Sequence, residues 1–85
     1  MKSDAAREHA LIHLEAILRE VWDEHPGDAA IDRTRSFLDL GVDSLTLMIL
    51  LDRVESEFQV DWDPERPPTA RSSLLFLAES VTVRE

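Results

Sequence analysis

The sequence predicts a small all-α domain, a bundle of three longer helices with one or two short helical turns. Three observations predict it. Apolar residues recur at helical spacing in three separate stretches, no stretch alternates with the period of a strand, and the chain has 85 residues of which 44% are hydrophobic. A chain of this size makes one domain over residues 1–85 and buries only about 60% of the surface its unfolded form exposes. So thin a core leaves little room for a deep catalytic cleft, which disfavours catalysis by the chain alone.

The first helix starts before Ala10 and carries Leu11, Leu14, Ile17, Leu18, Val21 and Trp22 on one face, with Arg7, Glu8, Glu15, Arg19 and Glu20 between them. Ser3 and Asp4 are its N-cap candidates. His25, Pro26, Gly27 and Asp28 stop it, because proline cannot continue a helix, and its end falls near residues 23–25. Residues 28–35 alternate in charge around one large apolar residue, Ile31, and read as a long surface loop with a single anchor. Ser36, Phe37, Leu38, Asp39 and Leu40, ended by Gly41, read as one turn of helix docking on the core. Residues 44–58 contain no proline or glycine, and Leu47, Leu50, Leu51, Val54 and Phe58 form the stripe of a second long helix capped by Asp43 or Ser44. Pro64, Pro67 and Pro68 then impose an irregular connection. Ser72 or Ser73 caps a last helix, in which Leu74, Leu77, Ala78 and Val81 share a face that Leu75 and Phe76 widen. The expected core is Trp22, Phe37, Leu38, Leu47, Leu50, Leu51, Val54, Phe58, Leu74, Leu77 and Val81.

Charge and composition narrow the function. Nine Lys and Arg against 18 Asp and Glu give a net charge of −9, a field that repels a nucleic-acid backbone and steers basic protein surfaces toward a soluble monomer. The absence of cysteine excludes disulfides, thiolate zinc sites and a cysteine nucleophile, so any thiol chemistry must be borrowed. No apolar stretch approaches the roughly 18 residues of a membrane span, and Met1 is followed by Lys2, Ser3 and Asp4 rather than an apolar signal core. A cytoplasmic location is expected.

His9 and His13 have the spacing of a shared metal site, but no third ligand stands at a recognisable distance, and a solvated helix flank explains them. Asp61, Asp63 and Glu65 imitate the opening of a calcium loop, yet Arg66 stands where the turn glycine belongs and Ser72 where the closing glutamate belongs. No metal site is expected. Gly41-Val42-Asp43-Ser44-Leu45 lacks the glycine after the serine that a nucleophile elbow needs, and no histidine is placed to activate Ser44, so no catalytic residue is expected either. Ser44 nevertheless opens a long helix, where unpaired amides and the positive end of the dipole tolerate a phosphodiester. The competing reading makes Ser44 a simple helix cap, and the surrounding residues decide between the two.

The run Phe37-Leu38-Asp39-Leu40-Gly41-Val42-Asp43-Ser44-Leu45 resembles the prosthetic-group attachment motif of the acyl carrier proteins, in which Asp-Ser-Leu opens the second helix. Leu50, Glu55, Glu57 and Phe58 are similar to that family's acidic second helix ending in Glu-x-Glu-Phe, and Val60-Asp61 to the segment after it. Ser73-Leu74-x-x-Leu77 falls where the family has its last helix, so the resemblance covers about residues 8–83. It implies an acyl-carrier-like bundle in which a phosphopantetheinyl transferase esterifies Ser44 with phosphopantetheine from coenzyme A. The arm's thiol then carries acyl groups as thioesters, which would explain thiol chemistry without cysteine. By the same resemblance Asp43 contacts the transferase and its metal, Leu45 and Met48 are exposed apolar contacts for partner enzymes, and the acidic edge with Asp52 and Glu55 steers them.

The match departs from the fatty-acid carriers at two places. Thr46 and Ile49 stand where that subfamily has acids, and Arg53 adds a positive charge to the same helix. Ile49 is either an edge-of-core residue or a partner contact, and with Leu45 and Met48 it would make an unusually apolar docking surface. These departures favour a specialised pathway, polyketide, lipopeptide or related secondary-metabolite biosynthesis, and the run from Met1 to Glu85 reads as a discrete carrier, with a domain excised from a megasynthase as the alternative. Its partners would be a transferase, an acyl-activating or loading enzyme, and ketosynthase or condensation-type enzymes. Two alternatives stand beside it: a free-standing aminoacyl or peptidyl carrier, and an acidic helical interaction module with no prosthetic group. Leu47 and Leu50 are the candidates for shielding an acyl chain inside the bundle.

Overall fold

Helix α1, Asp4–Val21, turns Ala10, Leu11, Leu14, Ile17 and Leu18 inward, the set that one face of a 3.6-residue repeat supplies. The computed structural model describes residues 4–23, 27 and 31–83. Ser3 as a cap of α1, and His25, Pro26 and Asp28 as its stop, lie outside the described residues. The helix ends at Val21, earlier than proline alone would require, although the Trp22 N–H still donates to the Leu18 carbonyl at 2.9 Å and the Trp22 ring is buried.

Ile31 is buried as the anchor of the following loop. Arg33 fastens that loop to α1, with Nε donating to Glu15 Oε1 at 2.7 Å and Nη1 to Glu8 Oε1 at 2.8 Å. Helix α2, Phe37–Leu40, is the expected single turn. Ser36 caps it by accepting from the Asp39 N–H, and Gly41 closes it in the left-handed region at φ 90°, a conformation that carries little penalty only without a Cβ. Leu38 is a correction to the expected core, being 60% exposed. One turn of helix distributes its side chains around every direction, so Phe37 is driven to full burial and Leu38 leaves the core side.

Helix α3, Ser44–Glu57, buries Thr46, Leu47, Leu50 and Val54. Its buried face is therefore rotated slightly toward Thr46, and Leu51 is only half-buried. Strand β1, Phe58–Val60, follows directly, and helix α4, Leu74–Ser80, runs into strand β2, Val81–Val83. The strands pair antiparallel with Phe58 opposite Val83, Gln59 opposite Thr82 and Val60 opposite Val81. This two-stranded ribbon corrects the expectation of no strands. By spacing Phe58 and Val81 each continue a helical apolar stripe, so the sequence predicts helix at both. Both are fully buried as expected, but they reach the core from extended backbone.

Ser73 caps α4 by accepting from the Phe76 N–H, and Leu74, Leu77 and Ala78 face the core. Three backbone hydrogen bonds join the segment from Ala70 to the start of α4 with the chain around α2. The Phe37 N–H bonds the Ser72 carbonyl at 2.9 Å, the Leu38 N–H the Ala70 carbonyl at 2.8 Å and the Leu75 N–H the Arg33 carbonyl at 3.1 Å, and Ser36 bridges Ser73. These links fix the loop that leads into α3. Among the described residues no helix is long and apolar enough to cross a membrane.

Candidate functional site

The site is built where α2 hands over to α3. Gly41 reverses the chain, Val42 is buried and pins the loop to the core, and the Val42 N–H closes on the Phe37 carbonyl at 2.9 Å. Asp43 then takes the extended backbone of an N-cap, φ −77° and ψ 169°, and its carboxylate accepts from the Thr46 N–H at 2.7 Å. Hydrogen bonds from the Thr46 side chain and then its backbone N–H hold the Asp43 carboxyl below the usual carboxylate range.

The capping role therefore belongs to Asp43. Ser44 is the first residue inside the helix, is exposed, and its hydroxyl makes no hydrogen bond among the described residues. The Ser44 and Leu45 N–H groups likewise have no acceptor there, as expected for the first turn of a helix, and point along the positive end of a 14-residue dipole. An exposed hydroxyl beside unfilled amides fits a phosphodiester without rearranging the chain.

Asp43 adds a pH dependence with a definite sign. Its folded-state pKa is depressed, so the stability it adds is present above the unfolded value, near pH 3.9, and is lost as pH falls through the folded value. Asp43→Ala should lower Tm at pH 7 by about 4–8 °C, the scale of one lost cap in a domain of this size. Asp43→Asn, whose amide oxygen still caps, should keep Tm at pH 7. As the pH falls below the usual carboxylate range and Asp43 protonates, the gap between the parent and Asp43→Ala should close, as followed by thermal circular dichroism at successive pH values.

Along α3 the side chains that leave the core form one face. Leu45 and Met48 are 65% and 67% exposed and Ile49 is 42% exposed. With Leu51, Asp52 and Glu55 they line an open groove of about 460 Å³. Ile49 thus stands on the outer face, while Thr46 turns inward to 9% exposure, which accounts for the missing acid at that position. Arg53 is drawn off this face. Its Nε donates to Glu57 Oε2 at 2.9 Å and its Nη2 to Glu20 Oε2 on α1 at 2.8 Å, so its charge is spent between two carboxylates. Asp52 and Glu55 line the groove with no basic partner among the described residues, and the Trp62 indole N–H donates to Glu55 Oε1 at 3.2 Å.

The other candidates have local roles. His13 Nε2 lies 3.2 Å from Glu57 Oε1 and its ring packs on Phe58 with centroids 4.8 Å apart, which places it at the α1–α3 junction. The Asp63 side chain accepts from the Glu65 N–H at 2.9 Å and shapes its own turn. Sequence reasoning missed the inward turn of Thr46. Its available signal was the i, i+4 relation to Leu50, which places it at the edge of the buried stripe.

The family model described as the phosphopantetheine attachment site matches residues 14–66, 53 of the 85 residues, and spans α2, the Asp43-Ser44 handover, α3 and β1. No curated protein and no solved structure matches the chain. The match takes in the whole segment whose geometry suits a phosphodiester, and the chain belongs to the phosphopantetheine attachment site family, a carrier with a covalently attached phosphopantetheine prosthetic group.

Proposed function

We propose that Ser44 is the attachment residue and that the chain is an acyl carrier protein, holding acyl intermediates as thioesters on the arm's terminal thiol. The observation that carries the reading is that Asp43, not Ser44, caps α3, which leaves an exposed and unbonded hydroxyl at the helix start. In attachment the Ser44 oxygen forms the new bond to phosphorus, the phosphoanhydride of coenzyme A breaks with release of adenosine bisphosphate, and the hydroxyl proton passes to the transferase. Asp43 precedes Ser44, is exposed and has one carboxylate oxygen engaged by the Thr46 N–H, and it is the residue assigned to meet the transferase and its metal. When bound, the arm supplies a thiol that the cysteine-free chain lacks. The carrier turns over no substrate itself.

Leu45, Met48, Ile49, Asp52 and Glu55 form the surface read by the transferase, by a loading enzyme and by ketosynthase or condensation-type enzymes. Three apolar groups and two uncancelled acids suit a partner with an aliphatic pocket flanked by Lys or Arg. Ile49 and Thr46 in place of acids support polyketide or related secondary-metabolite biosynthesis over primary fatty-acid synthesis. Met48→Asp should lower the transferase kcat/KM by about ten-fold or more, the scale of a lost interface anchor, with an unchanged circular dichroism spectrum because Met48 is exposed.

The cargo class is tested on the arm-bearing protein. It is offered in turn to acid-activating enzymes with carboxylic acids and to amino-acid-activating enzymes with amino acids, and intact mass is read after each. An acyl gain is expected. An aminoacyl gain alone would make the chain an aminoacyl carrier, and failure to accept any arm would leave an acidic interaction module.

A further inference from the structure

Arg66 and Arg71 have no ionic partner among the described residues, in a chain with twice as many acids as bases. Among the described residues Arg7, Arg33, Arg35 and Arg53 each bind a carboxylate, whereas the Arg66 and Arg71 guanidiniums bind none and make no hydrogen bond. Both line one open cleft of about 540 Å³, together with Pro67, Thr69 and the half-buried Phe76, and Glu65 is a carboxylate in the same lining. With 18 Asp and Glu against nine Lys and Arg, chance pairing should satisfy the bases first.

The neutral groups of the cleft, like its arginines, suit an anion. Thr69 Oγ1 accepts from the Arg71 N–H at 3.1 Å, Ser72 Oγ from the Thr69 N–H at 2.9 Å and Ser73 Oγ from the Phe76 N–H at 3.2 Å. Each hydroxyl is thereby used as an acceptor and retains an O–H to donate. Two guanidiniums and three hydroxyl donors over the apolar surface of Phe76 and Pro67 suit a carboxylate at the end of a short hydrocarbon chain.

The cleft lies within reach of Ser44. Ser72 bonds Phe37, the Phe37 carbonyl accepts from Val42, and Val42 is two residues from Ser44, a path of at most roughly 20 Å. A phosphopantetheine arm is as long as about five extended residues, roughly 17 Å, and the Arg71 side chain shortens the gap further. Resting on the carrier reading given above, we propose that this cleft holds the free carboxylate of a dicarboxylic cargo whose other carboxyl is the thioester. Arg66 and Arg71 bind the anion, and Phe76 covers the carbon chain between the two ends. The cleft therefore distinguishes a carboxyl-terminated cargo from a methyl-terminated one of the same length.

The test uses the full chain, labelled with nitrogen-15 and bearing the arm, loaded with succinyl in one sample and butyryl in another. Chemical shifts of the Arg66 and Arg71 Nε–H groups and of the Thr69 and Phe76 amides should move with succinyl and stay with butyryl. Hydrolysis of the succinyl thioester should be slowed about three-fold relative to its rate on an Arg66→Gln, Arg71→Gln double variant, the scale of an exposed ion pair. Both arginines are exposed, and the dispersed amide spectrum of the variant checks that it is folded. Equal shifts for both cargoes, or succinyl shifts that persist in the double variant, would overturn the proposal while leaving the carrier reading intact. A chain that accepts no arm would overturn both.

Discussion

Replacing Ser44 with alanine should abolish cargo carriage completely while leaving Tm within about 3 °C of the parent, since exposed substitutions away from caps and cores change stability little. The two halves of this expectation have separate causes. Carriage is lost because phosphopantetheine needs an oxygen nucleophile, and the hydroxyl at the first position of α3 is exposed and engaged by no other group. Stability is kept because the Thr46 N–H is held by the Asp43 carboxylate at 2.7 Å and Ser44 takes no part in that cap. Were Ser44 the cap, the same variant would lose several degrees and fray the start of α3. Activity assayed with any loading enzyme, beside a thermal melt of the same sample, separates these outcomes.

Phe58→Ala should have the largest effect on the fold. The ring is fully buried at the point where α3 becomes β1, and it lies 4.8 Å from the His13 ring. Removing a buried phenyl ring costs about 3–5 kcal/mol, against a total stability on the order of 4–13 kcal/mol for a domain of this length. The variant should lose more than about 10 °C in Tm and show a lower denaturant midpoint. The cavity would open between α1, α3 and the ribbon, so the Ser44 region should lose its rigid frame as well. A variant that melts like the parent would show that the core does not depend on this ring.

The positions that decide the site were legible because periodicity reads burial directly. Leu47, Leu50 and Val54 were expected inside and are inside, and the cap was narrowed to Asp43 or Ser44 before the backbone chose Asp43. The ribbon was not legible. Phe58 and Val81 each continue a helical stripe by spacing, and strands of three residues are too short to display an alternation of their own. Leu38 was misread because a single turn supplies too few residues to define a face, and its composition alone suggested burial. By sequence Arg53 adds a positive charge to the acidic helix, whereas in the fold it lies between Glu57 one turn on and Glu20 in α1, and the second of these contacts exists only after folding. Charge bookkeeping on a sequence cannot show where a long side chain is drawn.

The measurement that tests the central claim most directly is fragment mass spectrometry of the chain after reaction with coenzyme A and a phosphopantetheinyl transferase. One phosphopantetheine per chain is expected, carried by the fragment that contains Ser44, with no gain in the Ser44→Ala variant. Modification of a different serine, such as Ser36 or Ser56, or no modification of a chain shown to be folded, would contradict the account.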